Sequence, residues 1–129
     1  MGARYLIDTN VIIEFLGGSF SESSNLWLNN IIARNEHVLS VINQIELLGF
    51  VAKPEEAKVL AEFVGVSQVI PLTEGIVQQT IQLRKSHKIK LPDAIIAATA
   101  IQNDLQLLTR NLADFQKIKN LACVDVHSR

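Results

Sequence analysis

Tyr5-Leu6-Ile7-Asp8-Thr9-Asn10-Val11-Ile12 is the stretch on which the fold turns. Tyr5-Leu6-Ile7 is too short for a helix and apolar throughout, which fits a strand buried on both faces. Asp8 follows, then Thr9, Asn10 and a second apolar run, Val11-Ile12-Ile13, which continues at helical spacing through Phe15 and Leu16. The pattern predicts strand, turn and helix, with Asp8 at the carboxyl end of the strand. In open α/β sheets that end is where ligands bind. An acid there either caps the next helix or belongs to a site.

Outward from that stretch, strands and helices alternate. Gly17-Gly18-Ser19 closes the first helix and opens a loop through Ser24, and Leu26, Trp27, Ile31 and Ile32 predict an amphipathic helix to about Arg34. Val38 to Val41 reads as a second strand, followed by a short helix carrying Ile45, Glu46, Leu47 and Leu48 and closed by Gly49. Pro54 with Glu55 and Glu56 opens a helix towards Gly65, Val69-Ile70-Pro71 is a strand, and Thr73-Glu74 starts a helix ending in Arg84 and Lys85. Leu91-Pro92-Asp93 leads into Ala94 to Ile101, apolar almost all round and therefore a buried helix. Gln106 to Thr109 is a fourth strand, Asn111 to Phe115 a turn or short helix, and Cys123 to Val126 an edge strand. Such alternation implies one domain over residues 1–129, of α/β class, with a parallel sheet between helices.

Composition narrows the function. The 129 residues carry a formal net charge of −1, which counts against a protein that coats nucleic acid through a global basic field. A single cysteine, Cys123, excludes an internal disulfide and reads as a strand thiol in a reducing, cytoplasmic setting. No apolar run reaches the roughly 18 residues of a membrane span. His37, His87 and His127 are scattered and read as surface residues, and Trp27 reads as core rather than as a base-stacking platform.

Charges set in apolar surroundings are the informative ones, because burying an uncompensated charge is costly. Asp8, Glu46 and Asp93 each follow a strand or open a helix, and Asp114 is a possible fourth. Alone, each has a plain explanation. Asp8 can cap a helix for about 1 kcal/mol, and Asp93 can gain roughly 0.3–1 kcal/mol from a helix dipole. Glu46 can pair with a surface lysine. Together they repel, by on the order of 4 kcal/mol for two carboxylates about 4 Å apart at an effective dielectric of about 20. Such a cluster either raises a pKa or holds a cation. Oxygen donors without a thiol select a hard ion, Mg²⁺ or Mn²⁺, and metal-assisted phosphodiester hydrolysis is the chemistry that suits it. The basic stretch Arg84-Lys85-Ser86-His87-Lys88-Ile89-Lys90 is either a solvated helix end or a guide for a phosphate backbone approaching Asp93. A glycine-rich phosphate loop, a Gly-x-Ser-x-Gly elbow and an HExxH helix are all missing from the sequence.

Four segments, Leu6 to Ile12, Ile45-Glu46-Leu47, Leu91 to Ala98 and Leu108 to Phe115, together resemble the PIN domain, and most closely the VapC toxins of type II toxin–antitoxin systems. The resemblance implies a three-layer α/β/α sandwich with a central parallel sheet and an Mg²⁺- or Mn²⁺-dependent endoribonuclease. By it, Asp8, Glu46 and Asp93 bind metal, Thr9 and Asn10 orient Asp8, and Thr109 supports the site. Many relatives carry an acid where Asn111 stands, so either Asn111 or Asp114 completes the set. Arg84, Lys85, Lys88, Lys90 and Arg110 are the RNA-binding candidates. The resemblance also implies a homodimer and a VapB-like antitoxin. The apolar stretches Leu26 to Ile32 and Leu47 to Val51 fit a buried interface and an ordinary core equally.

Three other readings compete. Ile7-Asp8-Thr9-Asn10-Val11 resembles the Asp-x-Asp motif of haloacid dehalogenase-like phosphatases, but Asn10 replaces their general acid. A PIN nuclease of RNA processing without an antitoxin, and a catalytically dead PIN-like binding module, are the remaining alternatives.

Overall fold

The computed structural model describes residues 2–129. Five parallel strands form the sheet: β1 (Tyr5–Ile7), β2 (His37–Ser40), β3 (Val69–Ile70), β4 (Gln106–Leu108) and β5 (Cys123–Val124), in the order β3-β2-β1-β4-β5. The chain steps outward from β1 to β2 and β3, then returns across β1 to β4 and β5. Right-handed crossovers in opposite directions place their helices on opposite faces. One face carries α1 (Thr9–Leu16), α2 (Glu22–Ala33), α3 (Val41–Leu48) and α4 (Pro54–Val66), and the other carries α5 (Glu74–Ser86), α6 (Leu91–Gln102) and the short α7 (Leu112–Phe115).

Strand periodicity divides the core accordingly. Leu6, Val38 and Leu107 point into a cluster with Ile76, Leu83 and Ala94 to Ala98, whereas Ile7, Leu39 and Leu108 point into one with Val11, Ile12, Leu28, Leu47 and Phe63. The alanines of α6 are fully buried, so that helix lies tight against the sheet. This is the α/β/α sandwich that the sequence implies. Among the described residues no helix is long and apolar enough to cross a membrane.

Several boundaries depart from the sequence reading, each for a local reason. Helix α2 begins at Glu22, inside the expected loop, because the Ser21 hydroxyl accepts from the Ser24 amide at 3.2 Å and caps it. Strand β2 runs from His37 to Ser40, one residue earlier than expected, since Ser40 leaves the sheet to cap α3. Strand β5 stops at Val124, short of the expected Val126, where the Asp125 carboxylate accepts from the His127 amide and starts a 3-10 turn.

One side chain also differs from the expectation. His37 is buried, stacked on Phe63, and donates from Nε2 to the Ser67 hydroxyl, which itself donates to the Phe63 carbonyl. Burial holds its pKa below the ordinary value. Trp27, as expected, packs against the core, half-buried and edge-on to Tyr5 at 5.8 Å. Cys123 is a half-buried strand residue whose thiol burial pushes up to about 11, far from a nucleophile's range.

Candidate metal centre

The sheet order reverses between β1 and β4, and the crevice at their carboxyl ends is the switch point at which α/β folds bind ligands. Asp8 leaves β1 there. Its side chain is 7% exposed, and both carboxylate oxygens are fixed: Oδ1 accepts from the Thr9 amide at 2.9 Å, Oδ2 from the Thr109 hydroxyl at 3.0 Å. The helix-cap reading and the site reading therefore describe the same residue. Burial pushes its pKa up to about 6, against the two hydrogen bonds that lower it, and the charges of Asp93 and Glu46 push in the same direction as burial.

Glu46 arrives from β2 by way of α3. It is exposed, yet its Oε1 accepts from the Thr9 hydroxyl at 2.6 Å, and the Asn43 amide nitrogen donates to the same hydroxyl at 3.0 Å. Asn43 is fully buried and also accepts from the Ser40 amide at 2.7 Å. Thr9 thus links Asp8 to Glu46 rather than orienting Asp8 alone. The sequence reading missed Asn43. Its trace is the spacing Ser40-x-x-Asn43-x-x-Glu46, which sets a capping residue and a carboxylate on one helix face.

Asp93 is half-buried in the first turn of α6, directly after Pro92. Its pKa is raised by burial and then by Asp114 and Glu46, while Lys90 opposes them. Asp114 is exposed and accepts from the Asn111 side-chain amide at 2.7 Å, and the Asn111 backbone amide donates to the Thr109 hydroxyl at 3.0 Å. The two residues weighed against each other as a fourth ligand are hydrogen-bonded partners. Asn10 is exposed, and the hydrogen bonds to Asp8 come from Thr9 and Thr109 instead. Among the described residues no three acidic, histidine or cysteine side chains stand close enough to enclose an ion.

The basic candidates divide. Arg84, Lys88 and Lys90 line an opening of about 400 Å³ whose other wall is Asp93 and Asp114. The Arg84 guanidinium donates to the Ile89 carbonyl at 2.7 Å, so it shapes the connection between α5 and α6. Lys85 is exposed outside that opening. Arg110 pairs with Glu14 of α1 at 3.2 Å, a contact the sequence reading did not foresee.

The PIN domain family model matches residues 5–121. This chain belongs to the PIN domain family. It is 34% identical over 124 residues to Ribonuclease VapC10 of Mycobacterium tuberculosis, covering 90% of this chain and 89% of that one. Among solved structures, this PIN chain resembles a toxin–antitoxin complex from Klebsiella pneumoniae, with a TM-score of 0.75, 28% identity, and coverage of 95% of this chain and 97% of that one. DNA-bound VapBC from Salmonella typhimurium matches the PIN fold with a TM-score of 0.78 at 21% identity, over 96% of this chain and 98% of that one.

Proposed function

We propose that this chain is a divalent-metal-dependent endoribonuclease acting on single-stranded or structured RNA as the toxin of a toxin–antitoxin pair. The observation that carries the reading is Asp8. A carboxylate whose pKa is raised to about 6 by burial, with Asp93 and Glu46 adding to the shift, favours a proton or a cation beside it. Every donor facing the crevice is a hard oxygen, and ribonucleases of this family generally depend on a divalent metal. The donor set fits Mg²⁺ or Mn²⁺, with Asp8, Glu46 and Asp93 as the holding residues and Asp114 at the rim.

The ion, when bound, supplies Lewis acidity for phosphodiester hydrolysis. The chain does the positioning. Thr109 and the Thr9 amide hold the two oxygens of Asp8, and Asn43 acts through the Thr9 hydroxyl to hold Glu46. Lys88 and Lys90 offset the phosphate charge that the acids repel.

A partner is supported by a largely apolar groove between α1 and α4, where Ile13 and Leu16 line it with Phe50 and Val59. Close by in sequence, Ile45, Leu48 and Val51 are 62%, 52% and 95% exposed, a surface suited to an antitoxin segment or a second copy. The similarity to a toxin–antitoxin complex points to an antitoxin as that partner. The deciding experiment is cleavage of a mixed-sequence single-stranded RNA with Mg²⁺ or Mn²⁺, against EDTA and Asp8→Asn. Metal-dependent cutting that the variant loses is the expected result. Absence of cutting with either metal, in protein free of bound partner, overturns the nuclease reading in favour of a binding module.

A further inference from the structure

Six of the twelve lysines and arginines lie in two stretches: Arg84, Lys85, Lys88 and Lys90 around the α5–α6 connection, and Lys117 and Lys119 between α7 and β5. The fold sets these stretches side by side, since Lys117 Nζ donates to the Lys88 carbonyl at 3.0 Å. With a formal net charge of −1 on the chain, this is a local concentration of positive charge. Lys88, Lys90 and Lys119 form no ion pair among the described residues, where the salt bridges both involve Glu14.

Two concavities flank the Lys88–Lys117 junction. The first is the opening of about 400 Å³ with Lys88 and Lys90 on one wall and Asp93 on the other. The second, of about 360 Å³, is lined by His87, Lys117, Lys119 and Asn120 over an apolar floor that includes Leu83 and Ile118, and it has no acid in its lining. Lys117 borders the second and bonds the loop that borders the first.

We propose that these concavities are consecutive subsites for one RNA strand leaving the acidic crevice. Lys88 and Lys90 hold the phosphate next to the scissile one, and Lys119 holds the phosphate beyond it. Lys117 is a positioning residue that keeps the two loops in register. The inference rests on the nuclease reading and adds the direction in which substrate runs. Single-stranded RNA fits better than an acidic peptide, because the first concavity opens onto the acids of the crevice and the second pairs Lys117 and Lys119 with apolar Leu83, Ile101 and Ile118 for a base face. The two linings hold no Phe, Tyr or Trp, and His87 supplies a single imidazole, so this side of the site grips mainly the backbone, with little preference for sequence.

Salt dependence of RNA binding tests this directly. Binding of a short, end-labelled, mixed-sequence single-stranded RNA is followed by fluorescence anisotropy in EDTA across a KCl series. Each phosphate contact removed from a single strand lowers the slope of log K against log salt by about 0.7. Lys119→Gln is expected to lose about 0.7 of slope, and Lys88→Gln with Lys90→Gln, which share one phosphate, about 0.7 as well. Lys58→Gln, on α4 across the sheet, should leave the slope unchanged. In cleavage, Lys119→Gln raises KM and leaves kcat in place. Lys117→Met lowers affinity, and Lys117→Arg restores it.

Unchanged slopes in folded Lys119→Gln and Lys88→Gln/Lys90→Gln proteins overturn the track, as does equal competition by polyglutamate at matched charge. A wild-type chain that cuts RNA with unaltered slopes in the variants keeps the nuclease and loses the track. One that shows the slopes and never cuts keeps the track and loses the nuclease. A chain that binds no RNA at all overturns both.

Discussion

Two neighbouring strands end in the same way and are capped by opposite chemistry. At the end of β2, Ser40 and Asn43 form a neutral capping box, in which the Ser40 hydroxyl accepts from the amides of Ile42 and Asn43 and the Asn43 side chain accepts from the Ser40 amide. At the end of β1, the same task falls to a buried carboxylate, Asp8, which accepts from the Thr9 amide. Asparagine, aspartate and serine cap helices about equally well. The fold needs a cap at both places and a charge at neither. On the proposed function, the negative charge at Asp8, whose pKa is raised by burial and by Asp93 and Glu46, serves the chemistry rather than the architecture.

The largest effect that separates the two caps is on cleavage. Asp8→Asn should lower the metal-dependent rate by at least about a thousandfold, the scale of losing several kcal/mol of charge stabilisation. The variant should still fold. Ser40→Ala should leave the chemical step in place and cost about 1 kcal/mol of stability, read in a denaturant titration.

Stability against pH sharpens the contrast. Because the folded-state pKa of Asp8 is raised to about 6, the folded chain holds a proton there that the unfolded chain releases above its ordinary value. The metal-free protein therefore loses stability as pH rises through that window, and Asp93 acts in the same direction. His37, with its lowered pKa, acts oppositely, losing stability as pH falls below its unfolded value. Subtracting the curve of Asp8→Asn from that of the wild type isolates the first effect. At pH above 7 without metal the variant should be the more stable protein, by about 2–3 kcal/mol for a shift of this size. A variant less stable than wild type under those conditions would show that the carboxylate is structural after all.

The next smaller effect concerns the connection between the two caps. Asn43→Ala removes the donor to Thr9 and with it the fixed position of Glu46. Metal affinity, measured by calorimetry, should fall by about 10- to 100-fold, as for other residues that hold a metal ligand in place. Smallest is Asn111→Ala. It frees Asp114 at an exposed position, so a change of only a few tenths of a kcal/mol in stability is expected.

What the sequence made legible follows from which signals are local. Leu6-Ile7 beside Asp8, and the all-apolar helix opening on Asp93, carry their burial and their charge within a few residues. Both the sheet and two of the three acids can be read from them. Asn43 was obscured because it is polar in an amphipathic helix, and its burial depends on Thr9, 34 residues earlier. His37 looked like surface beside Glu36, and only the return of α4 supplies Phe63 and Ser67 to enclose it. The bond from Lys117 to the Lys88 carbonyl spans 29 residues and leaves no mark on either neighbourhood. Ser21 capped its helix inside a serine-rich run that reads as loop on composition alone.

The interchangeability of the cap at Asp8 has a genetic consequence. Aspartate and asparagine codons differ at a single base, so on the proposed function one transition in the gene would silence the chemistry while the cap, the sheet and the exposed surface persist. Such a mutant protein would still compete with an active copy for any partner that recognises the surface. Loss of activity and loss of the protein are thus separable events in the history of this chain.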